Sequence, residues 1–426
     1  MRLKIIKTII GAILLLAFFL VGAHFHKDQI WPFGQGYYEV IKNIRKHGFN
    51  YKDKINEKPS NHIRTTAHYL KIDNYKKDFD HLAIKNEGNH IIELLAIKGN
   101  TGTNPNSFPP VDLCIYKVVL NQASKKISEQ KIYTIPNNYR ATDILITKDD
   151  RIFVSYVVRK SNNKIALRVD QILNQDDTLI NSKIFESYPL EPNWGLQQTG
   201  GKMIMFDDDN ILLGVGDFAL WGYETTLPSN YEYIEKEYGK TIKINIKKRI
   251  SEIFTSGHRN TQGLIFSSRL NMILETEHGP EGGDEINVIL KNKNYGWPIV
   301  SYGMKYNQKP NEKQNIHFGQ HEKYEKPLFT FIPSIGIKAI EEFNSNQSEF
   351  PKWKNNFIVC SNIGIYRIEI IKDPNVRLLL SERLGDYKSF GHIDKNNIAN
   401  QCRDLVITKK GKIITNDFRV ISNGSF

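Results

Sequence analysis

A chain of 426 residues with 40% hydrophobic and 24% charged side chains can bury a sizeable core, which excludes a disordered or fibrous class. The net charge of +12 is spread through runs such as KTIKINIKKR without an aromatic-interleaved basic box, so the composition argues against a nucleic-acid partner. Three cysteines, Cys114, Cys360 and Cys402, are odd in number and lie in apolar, strand-like runs, where buried free thiols are expected.

The N-terminus reads MRLKIIKTIIGAILLLAFFLVGAHFH, with Arg2, Lys4 and Lys7 ahead of an apolar run over residues 8–23. That is an export signal, intermediate in length between a peptide cleaved after Val21-Gly22-Ala23 and an uncleaved anchor. Residues 1–25 are read as a signal-anchor or signal peptide. Residues 8–25 would then hold the chain to the inner membrane, with the remainder on the periplasmic or extracytoplasmic side of the cell envelope. Residues 26–71 follow as a membrane-proximal segment, where Val40, Ile41 and Ile44 suggest a short helix stopped at Gly48.

Beyond it one pattern recurs: an apolar strand, a tight polar turn, a second apolar strand. It is clear in DHLAIKNEGNHIIELLAI, TDILITKDDRIFVSYV, GGKMIMFDDDNILLGVGD and TQGLIFSSRLNMILETE, and less clean in WKNNFIVCSNIGIYRIEI and RDLVITKKGKIITNDF. Hairpins returning at long spacing fit the blades of a radial array, so the chain is expected to be all-β, a six-bladed β-propeller over residues 72–426. A pair of β-sandwiches is the alternative.

Residues 256–298, SGHRNTQGLIFSSRLNMILETEHGPEGGDEINVILKNKNYGWP, depart from the Ile, Asn and Lys background of the chain. Arg259 offers a planar fork for a carboxylate and Asn260 both a donor and an acceptor, a pair suited to a flat, acidic, oxygen-rich ligand. The same two side chains could instead tie neighbouring blades together. At the Gly279-Pro280 corner, backbone carbonyls are hard oxygen ligands of the kind calcium takes, and Asp284 and Glu285 are either further ligands or turn caps. Tyr295 and Trp297 are read as packing residues.

GHRNTQGL, EHGPEGGDEIN and NYGWP, in this order, resemble the glucose/sorbosone dehydrogenase family, soluble aldose sugar dehydrogenases that use pyrroloquinoline quinone (PQQ) on a six-bladed propeller. Weaker similarity runs from about Asp143 to Asp417 and includes PSIGIKAI and CRDLVITKKGKI. The resemblance implies PQQ bridged by calcium on the propeller top, a histidine base that takes the proton of the sugar C1 hydroxyl, and hydride transfer to the quinone. Position by position, Arg259, Asn260 and Arg403 match cofactor-contacting residues, and Gly279 and Pro280 match the calcium-binding carbonyls.

Other positions depart from the family. Gln198 stands where the histidine base belongs, and an amide cannot accept a proton near neutral pH. Lys202 replaces an arginine, Gln401 stands at the first of two arginines, and Asn362 and Ile363 occupy the place of a lysine. His258, His278 and Asp217 are the candidates for a substitute base, each also readable as structural. The sequence thus supports an exported PQQ-dependent dehydrogenase acting on a sugar substrate, or alternatively a non-catalytic extracytoplasmic propeller that binds a glycan or protein partner. With cations lost and the carbonyl corner kept, calcium binding is expected to outlast quinone binding. A hydrolase on the same propeller would require a channel cluster of acids or histidines, which the sequence does not display.

Overall fold

Alternating apolar and polar residues around tight turns produce the hairpins. In GGKMIMFDDDNILLGVGD the strands Gly200–Asp207 and Asn210–Val215 pair antiparallel, burying Leu212 and Leu213 completely. At other hairpin tips Asp150 and Asn271 take φ of +62° and +51°, left-handed values that short polar residues tolerate best. The computed structural model describes residues 70–74, 79–99, 110–161, 164–190, 196, 198–220, 235–304, 317–344, 349–373, 375–386 and 402–423. The N-terminal signal, the helix expected near Val40 and Gln401 lie outside these residues. Among the described residues no helix is long and apolar enough to cross a membrane.

Among the described residues the strands form four four-stranded antiparallel sheets, one seven-stranded sheet and a small parallel pair, Val300–Ser301 with His317–Phe318. Within the seven-stranded sheet the long strand Lys126–Ile146 changes partner at Asn138, which faces Val111 on one side and Val158 on the other. Pro136 withholds a ladder donor there and Asn137 sits at φ +65°, so the strand bends and serves two groups of strands. His81–Glu87 contacts Lys126–Ile146, which contacts Gly200–Asp207. The succession continues through Thr261–Ser267, Ile337–Glu342 and Leu405–Ile407, which returns to His81–Glu87. These innermost strands make a closed ring.

The chain ends are joined by pairing. Leu70–Asn74 lies antiparallel to Arg419–Asn423, with Leu70 opposite Asn423. The final sheet thus takes its outer strand from residues on both sides of the boundary expected at residue 71. The apolar core sits between neighbouring sheets; one cluster joins Phe153 and Leu167 to Leu213, Phe218 and Ile242, another joins Leu274 and Ile286 to Ile337 and Phe357. Each such fully buried side chain contributes about 1.5–3 kcal/mol of transfer free energy.

One hairpin sits away from the inner position, and one expectation needs correction. WKNNFIVCSNIGIYRIEI supplies the second and third strands of its sheet, Phe357–Ser361 and Gly364–Lys372; the inner strand is Ile337–Glu342, from PSIGIKAI. Cys360 and Cys402 are not free thiols but form a disulfide, their Cα atoms 5.3 Å apart across 42 residues of sequence. Neighbouring sheets bring together what the sequence separates, and only Cys114 remains free.

Inside the ring, Lys202 Nζ lies 2.9 Å from both Asp143 Oδ1 and Asp404 Oδ1, and His81 Nδ1 is 3.2 Å from Asp404 Oδ2. Burial would lower the lysine pKa, but the two carboxylates overcome it and the pKa is raised. Replacing Lys202 by Met leaves Asp143 and Asp404 buried without their cation, and is expected to destabilise the fold by about 3–5 kcal/mol in a denaturant titration.

Candidate functional site

The residues singled out in the sequence converge where the chain enters the inner strands. His258, ahead of Thr261–Ser267, is fully buried, with Nδ1 3.0 Å from both Glu275 Oε2 and Glu277 Oε2 and Nε2 2.8 Å from Thr255 Oγ1. Burial alone would depress its pKa; the carboxylates, Glu275 foremost, lift it to about 10. His258 is therefore an imidazolium at neutral pH and cannot act as a base. It anchors the loop, while Glu277 Oε1 accepts the Arg259 backbone N–H at 2.6 Å.

Arg259 leaves that loop and donates through Nη1 to the carbonyls of His278 (2.7 Å) and Gly279 (2.8 Å), its guanidinium 5.4 Å from the Trp297 ring centre. With the Gln198 amide nitrogen towards Asp217 Oδ1 (2.7 Å) and its oxygen towards Arg259 Nη2 (3.0 Å), both hydrogen bonds form; the opposite orientation would place donor on donor. Gln198 is thus a clamp between an acid and a guanidinium. Asn260 Oδ1 accepts from Gly200 N at 3.2 Å and from Gln262 Nε2 at 2.9 Å. Asn260 thus ties its strand to Gly200–Asp207, and Arg259 ties the loop to the Gly279-Pro280 corner, the structural role open to them in the sequence.

Asp217 is fully buried, and burial raises its pKa to about 7 against the pull of Arg259. Its oxygens accept from Ala219 N at 2.9 Å and from Trp297 Nε1 at 2.8 Å in addition to Gln198. These bonds make it a support for Gln198 rather than a base aimed at a ligand. Trp297, read from the sequence as packing, is a hydrogen-bond donor to the site as well.

The Gly279-Pro280 corner is held from behind. Asp284 accepts the N–H groups of Gly279 (3.1 Å), Ile335 (3.0 Å) and Ile337 (2.9 Å), tying the corner to the next inner strand. A Cβ on Gly279 would fall 1.8 Å from the Gly283 carbonyl, so the close turn needs glycine. Burial pushes the Glu285 carboxyl well above its ordinary range. Asp284 is thus committed to the backbone and Glu285 is held neutral. The corner offers calcium the carbonyls of Gly279 and Pro280, hard oxygens of the right kind, the first shared with Arg259 and the second with Ser334 Oγ at 3.3 Å. Calcium takes about 6–8 oxygens, so most must come from a ligand and water.

Other elements bring further cations towards Arg403. Arg403 Nη1 is 2.8 Å from Asp80 Oδ1, and Arg140 donates to the Leu196 carbonyl. Lys338 Nζ donates to Gln262 Oε1 at 3.3 Å, and Gln262 in turn reaches Asn260. Burial lowers the Lys338 pKa to about 7, with Arg140 and Arg403 adding to the shift; Arg140 falls to about 10 through burial and Arg403. His278 is driven well below its usual range by burial, Lys338 and Arg259. Arg140 and Lys338 were missed in the sequence because PSIGIKAI was not recognised as an inner strand and Arg140 follows a bend inside one long strand. Ile363 is 43% exposed, while Asn362 N donates to the Ile335 and Gly336 carbonyls, so the turn that lacks the lysine lies against the turn that delivers Lys338.

Deeper in the channel, Lys202, Asp143, Asp404 and His81 are the acid and histidine cluster a hydrolase would require. The Lys202 ammonium fills it.

The closed ring of antiparallel sheets, with cations gathered beside a buried carbonyl corner, is the fold of a β-propeller. Residues 142–386 match the family described as glucose/sorbosone dehydrogenase, and the chain belongs to that family. It is 36% identical over 175 residues to the aldose sugar dehydrogenase YliI of Escherichia coli (strain K12), covering 38% of this chain and 44% of that protein. The chain spans about half the length, or less, of the curated relatives it matches. In fold it is similar to a glucose dehydrogenase crystal structure, with a TM-score of 0.62 at 20% identity over 84% of this chain and all of that one. It is also similar to the PQQ-bound aldose sugar dehydrogenase of Streptomyces coelicolor, with a TM-score of 0.51 at 14% identity over 80% and 99% of the two chains.

The His258 anchor makes a pH prediction. A histidine pKa raised from 6.5 to about 10 stabilises fully below 6.5 and loses that contribution as pH rises through 10. Thermal unfolding should shift to lower temperature between pH 7 and 10, and His258→Gln should weaken this dependence while lowering stability by about 3–5 kcal/mol at neutral pH.

Proposed function

We propose that the chain is an exported six-bladed quinoprotein of the aldose sugar dehydrogenase type. In this reading Arg259, Asn260 and Arg403 hold PQQ, and the Gly279 and Pro280 carbonyls take calcium beside it. The observation that carries it is the pair of cations near Asn260, buried Arg259 and half-buried Lys338, next to that corner, a donor set that fits a polycarboxylate. Six blades follow if the seven-stranded sheet is counted as two groups divided at Asn138, which matches the succession of inner strands. The apolar N-terminal run and the Cys360–Cys402 disulfide support export to an oxidising compartment.

The quinone, when bound, would supply the hydride acceptor for a sugar C1. The chain's own residues bind and orient: Arg259 spans the corner and Gln198, Trp297 flanks it, and Asp217 fixes the Gln198 amide. Proton removal at position 198 is absent, so turnover by the native chain should be slow. Gln198→His is expected to raise kcat for aldose oxidation by about 10²–10⁴-fold, measured on full-chain protein with PQQ, calcium and an artificial electron acceptor. An unchanged rate in a variant that binds quinone would move the base elsewhere.

The Gln198 clamp also favours a second reading, a propeller that binds a glycan or protein partner without oxidising it. A folded wild-type protein that shows no quinone binding would support that reading. Because the carbonyl corner lacks carboxylate ligands, calcium alone is expected to bind weakly, and far more tightly once quinone is present. Calorimetric titration in the two orders checks this; tight binding of calcium alone would contradict it.

A further inference from the structure

We propose that Trp297 is a positioning residue: its indole N–H holds Asp217 as a hydrogen-bond acceptor, and Asp217 in turn decides which way the Gln198 amide faces. This deepens the proposed function and rests on its assignment of position 198 as the place of the proton acceptor.

Two tight turns bring Trp297 to the site. Tyr295 N and Trp297 N donate to the carbonyls of Ser256 (2.9 Å) and Gly257 (3.0 Å), so NYGWP runs beside the end of Ile250–Ser256. Gly257 takes φ of +77°, and a Cβ there would fall 2.1 Å from Asn294 Oδ1, so this approach needs glycine. From there the indole reaches the loop after Asn210–Val215 and donates through Nε1 to Asp217 Oδ2 at 2.8 Å. Asp217 Oδ1 accepts from the Gln198 amide at 2.7 Å, and the Gln198 oxygen accepts from Arg259 Nη2 at 3.0 Å. The guanidinium lies 5.4 Å from the indole ring centre. Four side chains thus form a closed circuit in which each is held by two others.

Backbone bonds fix the chain around this circuit: Asp217 N donates to Arg259 O at 2.8 Å and Phe218 N to Gln198 O at 3.0 Å. They do not choose between the two faces of the amide. That choice follows the state of Asp217. As a carboxylate it accepts the amide N–H, which leaves the amide oxygen towards Arg259. As a carboxylic acid it would donate to the amide oxygen and turn the NH2 group against the guanidinium, donor on donor. Burial favours the acid; Arg259, the Ala219 N–H at 2.9 Å and the Trp297 N–H favour the carboxylate, and Glu277 is the further acid that faces it. The Ala219 donor belongs to the backbone and Arg259 to the other side of the amide. The indole is therefore the support that a side-chain change removes by itself, and Trp297→Phe removes the donor while keeping a ring beside Arg259.

The test needs no quinone. In full-chain protein with nitrogen-15 in its glutamine side chains, the Gln198 amide pair is identified by its loss in Gln198→Leu. Acidification from pH 9 to 5 should move the wild-type pair from one magnetic-resonance position to another as Asp217 takes up its proton. Trp297→Phe should shift that transition to higher pH by about one unit, with a melt that stays cooperative. In Asp217→Asn the pair should show no transition, and adding Trp297→Phe should change it no further. Packing alone would lower stability without moving the transition. A Gln198 pair that behaves identically in wild type and Trp297→Phe overturns the proposal, as does an effect of Trp297→Phe that survives in Asp217→Asn. Should Trp297→Phe fail to fold, indole labelling of wild type decides: one of the five tryptophan N–H signals should move with the midpoint of the Gln198 pair and stand still in Asp217→Asn. Five signals that ignore that midpoint would overturn it. In Gln198→His, Trp297→Phe should lower aldose oxidation; a shifted amide pair with no oxidation by Gln198→His leaves the positioning role standing and removes the quinone reading alone.

Discussion

Lys202 sets one ammonium between carboxylates that belong to two other sheets, and the inner ring depends on it. Lys202 comes from Gly200–Asp207, Asp143 from Lys126–Ile146, Asp404 from just ahead of Leu405–Ile407, and His81 from His81–Glu87. A buried ion pair adds little net stability over a well-packed apolar substitute, but its short directional bonds fix how the strands sit against one another. Apolar packing between sheets tolerates sliding; two 2.9 Å contacts to one nitrogen do not. The charges balance only because Asp404 is held near 2, where Lys202 and His81 overcome burial, while neighbouring Glu341 is raised to about 8 by burial and by Asp404. Glu341 thus stays protonated at neutral pH, and the hub carries no large negative excess.

That near-neutral floor makes the mouth of the channel distinctive. Arg259 is buried and Arg140, Lys338 and Arg403 are half-buried, and the lowered pKa values of Arg140 and Lys338 come from burial first and from their cationic neighbours second. Such an arrangement lowers the stability of the empty protein and is relieved by an anion that binds only the folded state. The hub and the mouth are linked through the same strands: Lys202 lies two residues beyond Gly200, whose N–H is held by Asn260. Fixing the ring therefore also fixes the distance between the cations and the carbonyl corner.

Much of the architecture was legible because period-two alternation and polar turns are local signals. The all-β class, the six hairpins, and the loop bearing Arg259 and Asn260 all follow from short windows of sequence. Features that arise only across sheets were not legible. Cys360 and Cys402 read as separate thiols because their proximity depends on adjacent sheets, and Lys338 was lost when PSIGIKAI was passed over for a more regular hairpin. Asp284 and Glu285 illustrate the same limit. The side chains were identifiable, but only their surroundings show that one is consumed by backbone N–H groups and the other is held neutral.

Two of the departures that weakened the sequence resemblance, at position 198 and around position 363, have different physical meanings. Around 363 the loss is compensated in kind, since Lys338 emerges from the turn against which Asn362 packs and restores a cation to the same mouth. At 198 nothing restores basicity. What is kept is hydrogen bonding, because one amide can donate to Asp217 and accept from Arg259 at once. A histidine there could keep a proton towards Asp217 and still accept from Arg259 through its other nitrogen, with the guanidinium favouring the unprotonated, basic form. Gln198 therefore preserves the scaffold of a proton-accepting site without its chemistry, while the binding apparatus around it remains cationic. In the proposed reading, the site holds a carboxylated ligand more securely than it transforms one.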